Sequence, residues 1–252
     1  MTAQSPIGIL DSGVGGLSVW REIARFLPQE QTLYVADSVN APYGNKSEEE
    51  IFDLASRVIE FLLTQHVKLI VAACNTITVS CIDRLRQAYP QIEIVGVVPA
   101  IKTAVALSKR KKIGVLATER TAKSSYQHEL IKKFARKCEV ITVGTNKFVP
   151  LIERGEEGQI REVLLSVLKP FIKHEIDVVV LGCTHYPLIA DLIQEELGRE
   201  VRLIDSGEAI ARRVEVLLTK HKLKSKQKAG ENRFFTTGSV EKADRILHRL
   251  AR

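Results

Sequence analysis

Cysteine is scarce in this chain, with Cys74, Cys81, Cys138 and Cys183 the four copies in 252 residues. They stand far apart, without a Cys-x-x-Cys pair, among apolar segments able to form a core unaided. That spacing excludes a disulfide-built scaffold and points to free thiols in a reducing compartment. Long apolar runs are also missing, none approaching the ~20 residues of a membrane-spanning helix. The start, Met1-Thr-Ala-Gln-Ser-Pro6, lacks the basic and apolar regions of an export signal and passes at once into Ile7-Gly-Ile-Leu10. The expectation is a cytoplasmic protein with no membrane partner. No lysine lies in a cofactor-like motif, and no close His or Cys pair offers a local metal chelate, so neither cofactor nor metal is expected.

An apolar fraction of 45% beside 27% charged residues lies in the globular range and far from disorder. The net charge of +7 is concentrated in Lys109-Arg-Lys-Lys112 and along residues 220–228. Neither cluster has the interleaved aromatics or helical pattern of a nucleic-acid reader, so nucleic acid is not the expected partner. A small anionic substrate accounts for part of the excess equally well.

Runs of Val, Ile and Leu recur at residues 7–10, 33–36, 69–72 and 94–97, separated by stretches of helical period such as 51–63. Continuous apolar strands alternating with amphipathic helices imply a parallel sheet covered on both faces. The pattern returns at 113–116, 140–143, 178–181 and 201–204. Ile7-Gly-Ile-Leu matches Ile113-Gly-Val-Leu at an offset of 106, and Ala73-Cys-Asn-Thr matches Gly182-Cys-Thr with Cys74 and Cys183 at an offset of 109. The fold class expected is α/β, with two pseudo-equivalent domains whose mainly parallel sheets face each other across a central cleft. Residues 1–97 with 208–252 would form the first domain and 98–207 the second, the tail returning as helix, loop, strand and helix to complete the first.

In open α/β sheets, ligands bind outside the carboxyl ends of the strands. Asp11-Ser12, Asp37-Ser38, Cys74-Asn75-Thr76 and Cys183-Thr184-His185 all stand at such ends. Two facing domains would bring both cysteines to one cleft. A thiolate can then take a proton from one face of a carbon centre while the opposite thiol donates to the other. A free thiol pKa of ~8.5 keeps both forms within reach. Asp11 and His185 are placed to poise the thiols, and a helix N-terminus after each cysteine would favour thiolate.

Four segments resemble the signature of glutamate racemases, within the aspartate/glutamate racemase superfamily: Leu10-Asp-Ser-Gly-Val-Gly-Gly16, Ala36-Asp-Ser-x-x-x-Pro-Tyr-Gly44, Ala73-Cys-Asn-Thr76 and Leu181-Gly-Cys-Thr-His-Tyr-Pro187. The resemblance implies a cofactor-independent, two-base isomerase acting on L- and D-glutamate and supplying D-glutamate for peptidoglycan. It places the two bases at Cys74 and Cys183, with support from Asp11, Asp37, Glu153 and His185. Substrate contacts carry over to Asp11, Ser12, Pro42, Tyr43, Gly44, Asn75, Thr76, Thr184 and His185. Assembly as a homodimer is left open by the resemblance. Two departures fall in the second half: Ala117 stands where the family has glycine, and Thr145-Asn146 replaces a Cys-Pro pair.

Other readings are weaker. Gly13-Val-Gly-Gly-Leu-Ser18 looks like a dinucleotide fingerprint, but Ser18 replaces the last glycine and Asp11 would set a negative charge beside the pyrophosphate. Cys74, Cys183, His185 and Asp11 have ligand types that suit zinc, and a non-enzymatic solute binder would share the two-domain architecture. Aspartate and hydantoin racemases share the thiol chemistry and differ in side-chain recognition. Cys81, Cys138, His66, His128, His174, His221 and His248 are expected to be structural or superficial.

Overall fold

A computed structural model describes residues 2–250. The first half runs β1 (Ile7–Asp11), α1 (Leu17–Phe26), β2 (Thr32–Ala36), α2 (Glu48–Thr64), β3 (Leu69–Ala72), α3 (Asn75–Ala88), β4 (Ile94–Gly96) and α4 (Ile101–Leu107). The second runs β5 (Lys112–Ala117), α5 (Glu119–Lys123), α6 (Ser125–Phe134), β6 (Glu139–Gly144), α7 (Phe148–Arg154), α8 (Glu157–Lys173), β7 (Val178–Gly182), α9 (Ala190–Leu197) and β8 (Arg202–Ile204). The tail adds α10 (Gly207–Lys220), β9 (Asn232–Thr236) and α11 (Val240–Leu250).

Two sheets form, in the orders β4-β3-β1-β2-β9 and β8-β7-β5-β6, with every pairing parallel. Strand for strand, the second sheet repeats the first, and the tail adds β9 beside β2. The α/β class expected from the apolar runs is therefore the class observed. The physical cause is visible in burial: β1, β2, β3 and β7 are buried along their whole lengths, as strands covered on both faces must be. The edge strands β6 and β9 carry the partly exposed and charged residues, which discourages pairing with another sheet.

Local signals set the helices. Ser47 and Glu50 close a reciprocal capping box at the start of α2, and Glu48, Glu49 and Glu50 complement its dipole. At the opposite end of the first sheet, Lys68 Nζ lies 2.5 Å from Glu30 Oε2 and also donates to the Ala3 and Leu223 carbonyls. Glu30 Oε1 accepts the Ser225 N–H at 2.8 Å, so one buried ion pair ties the tail to the base of the sheet. Helix α10 packs along α1. Among the described residues, no helix is long and apolar enough to cross a membrane.

Candidate active site

The carboxyl ends of the two sheets meet. Thr76, opening α3, places Oγ1 3.3 Å from Thr118 Oγ1, which follows β5. Ser18 donates to the Thr184 carbonyl at 3.0 Å, and Glu153 Oε1 on α7 accepts the Val14 N–H at 2.8 Å. The glycines between β1 and α1 make this approach feasible. A side chain at Gly13 would run into the Glu153 carboxylate, and one at Gly15 into the His185 ring. These glycines thus receive side chains from the other half of the chain, where a dinucleotide fingerprint would present backbone to a pyrophosphate.

Both expected cysteines are buried at this junction, each 5% exposed. Cys74 follows β3 and caps α3, with its sulfur 3.5 Å from Ser12 Oγ. Burial pushes the Cys74 thiol well above its usual range, the Asp11 charge pushes it further, and the Ser12 hydroxyl and Ile77 N–H act against both. The Cys183 charge raises it too, so the two sulfurs sense each other across the gap. A helix start after Cys74 therefore does not suffice to favour thiolate there, because desolvation is the larger effect. After Cys183 the chain forms a short 3-10 turn at Tyr186–Ile189 in place of the expected helix. Its neighbouring positive charge comes from His185.

His185 is itself buried, with Nδ1 3.9 Å from Cys183 Sγ and Nε2 2.6 Å from Glu153 Oε1. Burial alone would lower its pKa, but hydrogen bonds to Cys183 and Glu153, with their charges, hold it well above the usual imidazole value. Glu153 shows the reciprocal shift. Desolvation opposes ionisation, yet His185 and the Val14 N–H keep the carboxyl below its ordinary range. Asp11 is the contrasting acid: burial pushes it up to about 6, against the lowering effects of His185 and the Gly16 N–H. Asp11 Oδ2 accepts that N–H at 2.7 Å, while Oδ1 is buried with no partner among the described residues. The site thus opposes Cys74 beside a reluctant carboxylate to Cys183 beside a stabilised imidazolium.

The polar residues sort into two groups. Ser12, Asn75, Thr76 and Thr184 line the junction, all buried, with Asn75 Nδ2 donating to the Val97 carbonyl at 3.3 Å. Asp37 lies to one side, accepting from Tyr43 OH at 2.7 Å, Thr237 Oγ1 at 2.9 Å and Asn40 Nδ2 at 3.0 Å. It therefore anchors the turn that carries Pro42, Tyr43 and Gly44. Cys81 donates to the Ile77 carbonyl within α3, and Cys138 is half-buried near β6. His174 and His221 pair with Glu139 and Glu93 at the surface.

The profile of the Asp/Glu/Hydantoin racemase family matches residues 7–214. The chain belongs to this family. A glutamate racemase of Ectopseudomonas mendocina is 42% identical over 247 residues, covering 97% of this chain and 94% of the relative. Among solved structures, a glutamate racemase of Bacillus anthracis superposes with a TM-score of 0.89 at 34% identity, covering 99% of this chain and 94% of that one. The Escherichia coli glutamate racemase, solved with L-glutamate and the activator UDP-MurNAc-Ala, gives 0.84 at 38%, covering 97% and 95%.

Residues outside the sequence-derived set also reach the junction. Thr118 faces Thr76 and donates to Thr121 Oγ1 at 3.0 Å. A signal was present, because the 106-residue offset that matches Ile7 to Ile113 makes Thr118 the counterpart of Ser12. Tyr186, inside the second cysteine motif, is fully buried and donates to the Ala117 and Thr145 carbonyls at 3.2 and 3.0 Å, tying β5 and β6 to the turn behind Cys183. No periodicity or motif spacing announces those bonds.

Proposed function

We propose that this enzyme interconverts L- and D-glutamate by proton exchange between Cys74 and Cys183, without cofactor or metal. The observation that carries the reading is the opposed pair of buried sulfurs, each with its own acid–base neighbour: Asp11 and Ser12 at Cys74, His185 and Glu153 at Cys183. The choice of glutamate rests on relatives named glutamate racemase that match nearly the whole chain.

Burial and Asp11 keep the proton on Cys74, and the His185 cation, with Nδ1 3.9 Å from Cys183 Sγ, is placed to offset the charge of a thiolate formed there during turnover. That thiolate takes the α-proton from one enantiomer, the electron pair passes into the substrate carboxylate, and Cys74 delivers its proton to the opposite face. The sulfurs have then exchanged roles, and the mirror-image substrate runs the reaction backwards. Protonated Asp11, with a pKa near neutrality, can return a proton to the Cys74 thiolate while Cys183 gives up the proton it took to water, which resets the pair. The α3 N-terminus, with Asn75, Thr76, Ser12 and Thr184, supplies donors for the substrate carboxylates, and the turn carrying Pro42, Tyr43 and Gly44 closes one side. Asp37 acts as a positioning residue through Tyr43.

Residues 1–97 with 208–252 make up one domain and 98–207 the other, so that the cleft is the domain boundary. The biological role that follows from this reading is cytoplasmic supply of D-glutamate for peptidoglycan. The test is circular dichroism of L- or D-glutamate with protein dialysed against a chelator and given no cofactor. Loss of optical activity from either enantiomer is expected. Activity that requires added metal or pyridoxal phosphate, or that is confined to aspartate, overturns the reading.

A further inference from the structure

Asn146 bonds in two directions across the mouth of the cleft. Its Oδ1 accepts the Glu119 N–H at 3.2 Å, at the start of α5 in its own half. Its Nδ2 donates to Asn45 Oδ1 at 2.8 Å, in the first half of the chain. The first bond settles which end of the amide is oxygen, so the donor faces Asn45. Arg120, beside Glu119, makes a second crossing: its guanidinium donates to the Lys46 carbonyl and lies 3.9 Å from Glu48 Oε1.

Asn45 ends the Tyr43–Asn45 turn, and Lys46 follows it directly. The contact continues along the turn, since a Cβ on Gly44 would stand 3.1 Å from Asn146 Oδ1. Asn146 is also one of the positions where the chain departs from its family's usual Cys-Pro pair, and a proline there could offer neither the side-chain donor nor the acceptor. We infer that Asn146 and Arg120 are positioning residues that latch the substrate-facing turn at residues 42–45 to the opposite domain. The inference deepens the glutamate reading and rests on it for its kinetic consequence only.

A polar cavity of about 570 Å³ beside the latch is lined by Gly44, Asn45, Glu48, Arg120, Lys123 and Asn146. Both Asn146 bonds lie at exposed positions beside this space, where solvent can compete for the same groups. A hydrogen bond of ordinary net strength shifts the closed-to-open ratio by roughly 2- to 10-fold. Where binding needs the closed form, apparent affinity falls in proportion as the closed fraction drops.

The experiment combines kinetics with hydrogen exchange of ligand-free protein. Asn146→Ala and Asn45→Ala should each raise KM for glutamate about 2- to 3-fold, leave kcat nearly unchanged, and speed amide exchange across residues 43–48 by a similar factor, because the fall in the closed fraction and the rise in the open fraction multiply to the change in their ratio. The double variant should be no worse than Asn146→Ala alone, because that change already removes the bond to Asn45 together with the one to the Glu119 N–H. Asn45→Asp, which keeps an acceptor for Asn146 Nδ2, should retain slow exchange and low KM. Unchanged exchange and KM in Asn146→Ala, or additive effects in the double variant, would overturn the latch. Exchange needs no substrate, so a wild-type protein inert towards glutamate but showing the exchange pattern would sink the substrate assignment and leave the latch standing.

Discussion

Glu153 Oε1 lies 2.6 Å from His185 Nε2 and also accepts the Val14 N–H at 2.8 Å, so one carboxylate oxygen joins the second cysteine motif to the glycine loop of the first sheet. The pair is largely buried, with side-chain exposures of 2% for His185 and 15% for Glu153. Its ionisation bears on both stability and catalysis.

Replacing Glu153 by Gln should lower the melting temperature most between about pH 4.5 and 6.5. The His185 contribution, from a raised pKa, is complete below the ordinary imidazole value and lost as pH rises through the folded one. The Glu153 contribution, from a lowered pKa, is complete above the ordinary carboxyl value and lost as pH falls through the folded one. Melting curves of wild type and variant across pH 4–9 measure the difference. A constant offset at every pH would show that the pair is not ionised as described.

Asp11→Asn should separate stability from activity. Ionising a buried carboxyl whose pKa is pushed up to about 6 costs the folded state on the order of 2–3 kcal/mol at neutral pH. The variant should melt several degrees higher at pH 7, with the gain fading as pH falls from about 6 towards 4. Turnover should drop by about 10²–10⁴-fold, as for lost acid–base support. A variant both less stable and fully active would contradict the role given to Asp11.

Cys74→Ala and Cys183→Ala should each abolish racemisation in both directions, although each removes the base for one enantiomer. Free enantiomers have equal energy, so forward and reverse kcat/KM stay equal in every variant. Asymmetry can show only in a half-reaction, such as elimination from a glutamate analogue with a β-leaving group, which needs abstraction without re-protonation. Each variant should keep elimination from one enantiomer and lose it from the other, in reciprocal fashion. Equal loss of both eliminations in both variants would mean that the sulfurs do not act as separate bases.

Lys68→Met should destabilise the fold by about 3–5 kcal/mol, because Glu30 would remain buried without its counter-charge. Denaturant unfolding measures it. Adding Glu30→Gln should recover part of the loss, and failure to do so would show that the Lys68 bonds to the Ala3 and Leu223 carbonyls carry the stabilisation.

The sequence alone determined the elements that local chemistry dictates. Short continuous apolar runs alternating with amphipathic helical stretches point to parallel strands covered on both faces, so the α/β class and the strand positions were legible. So were the two-fold repeat and the reactive residues at strand ends, because a parallel sheet delivers every such end to one edge. What only the tertiary structure decided concerns groups whose partners lie far away in the chain. Glu153 was placed in the set by resemblance, yet its bonds to His185 and Val14 depend on α7 docking against the glycine loop. Asp37 carries the same residue type as Asp11, but three donors occupy it, while one Asp11 oxygen has no partner among the described residues. Cys74 illustrates the limit most directly. A helix start after a cysteine is visible in sequence and favours thiolate, whereas the desolvation that outweighs it arises only when two distant sheets close over the sulfur.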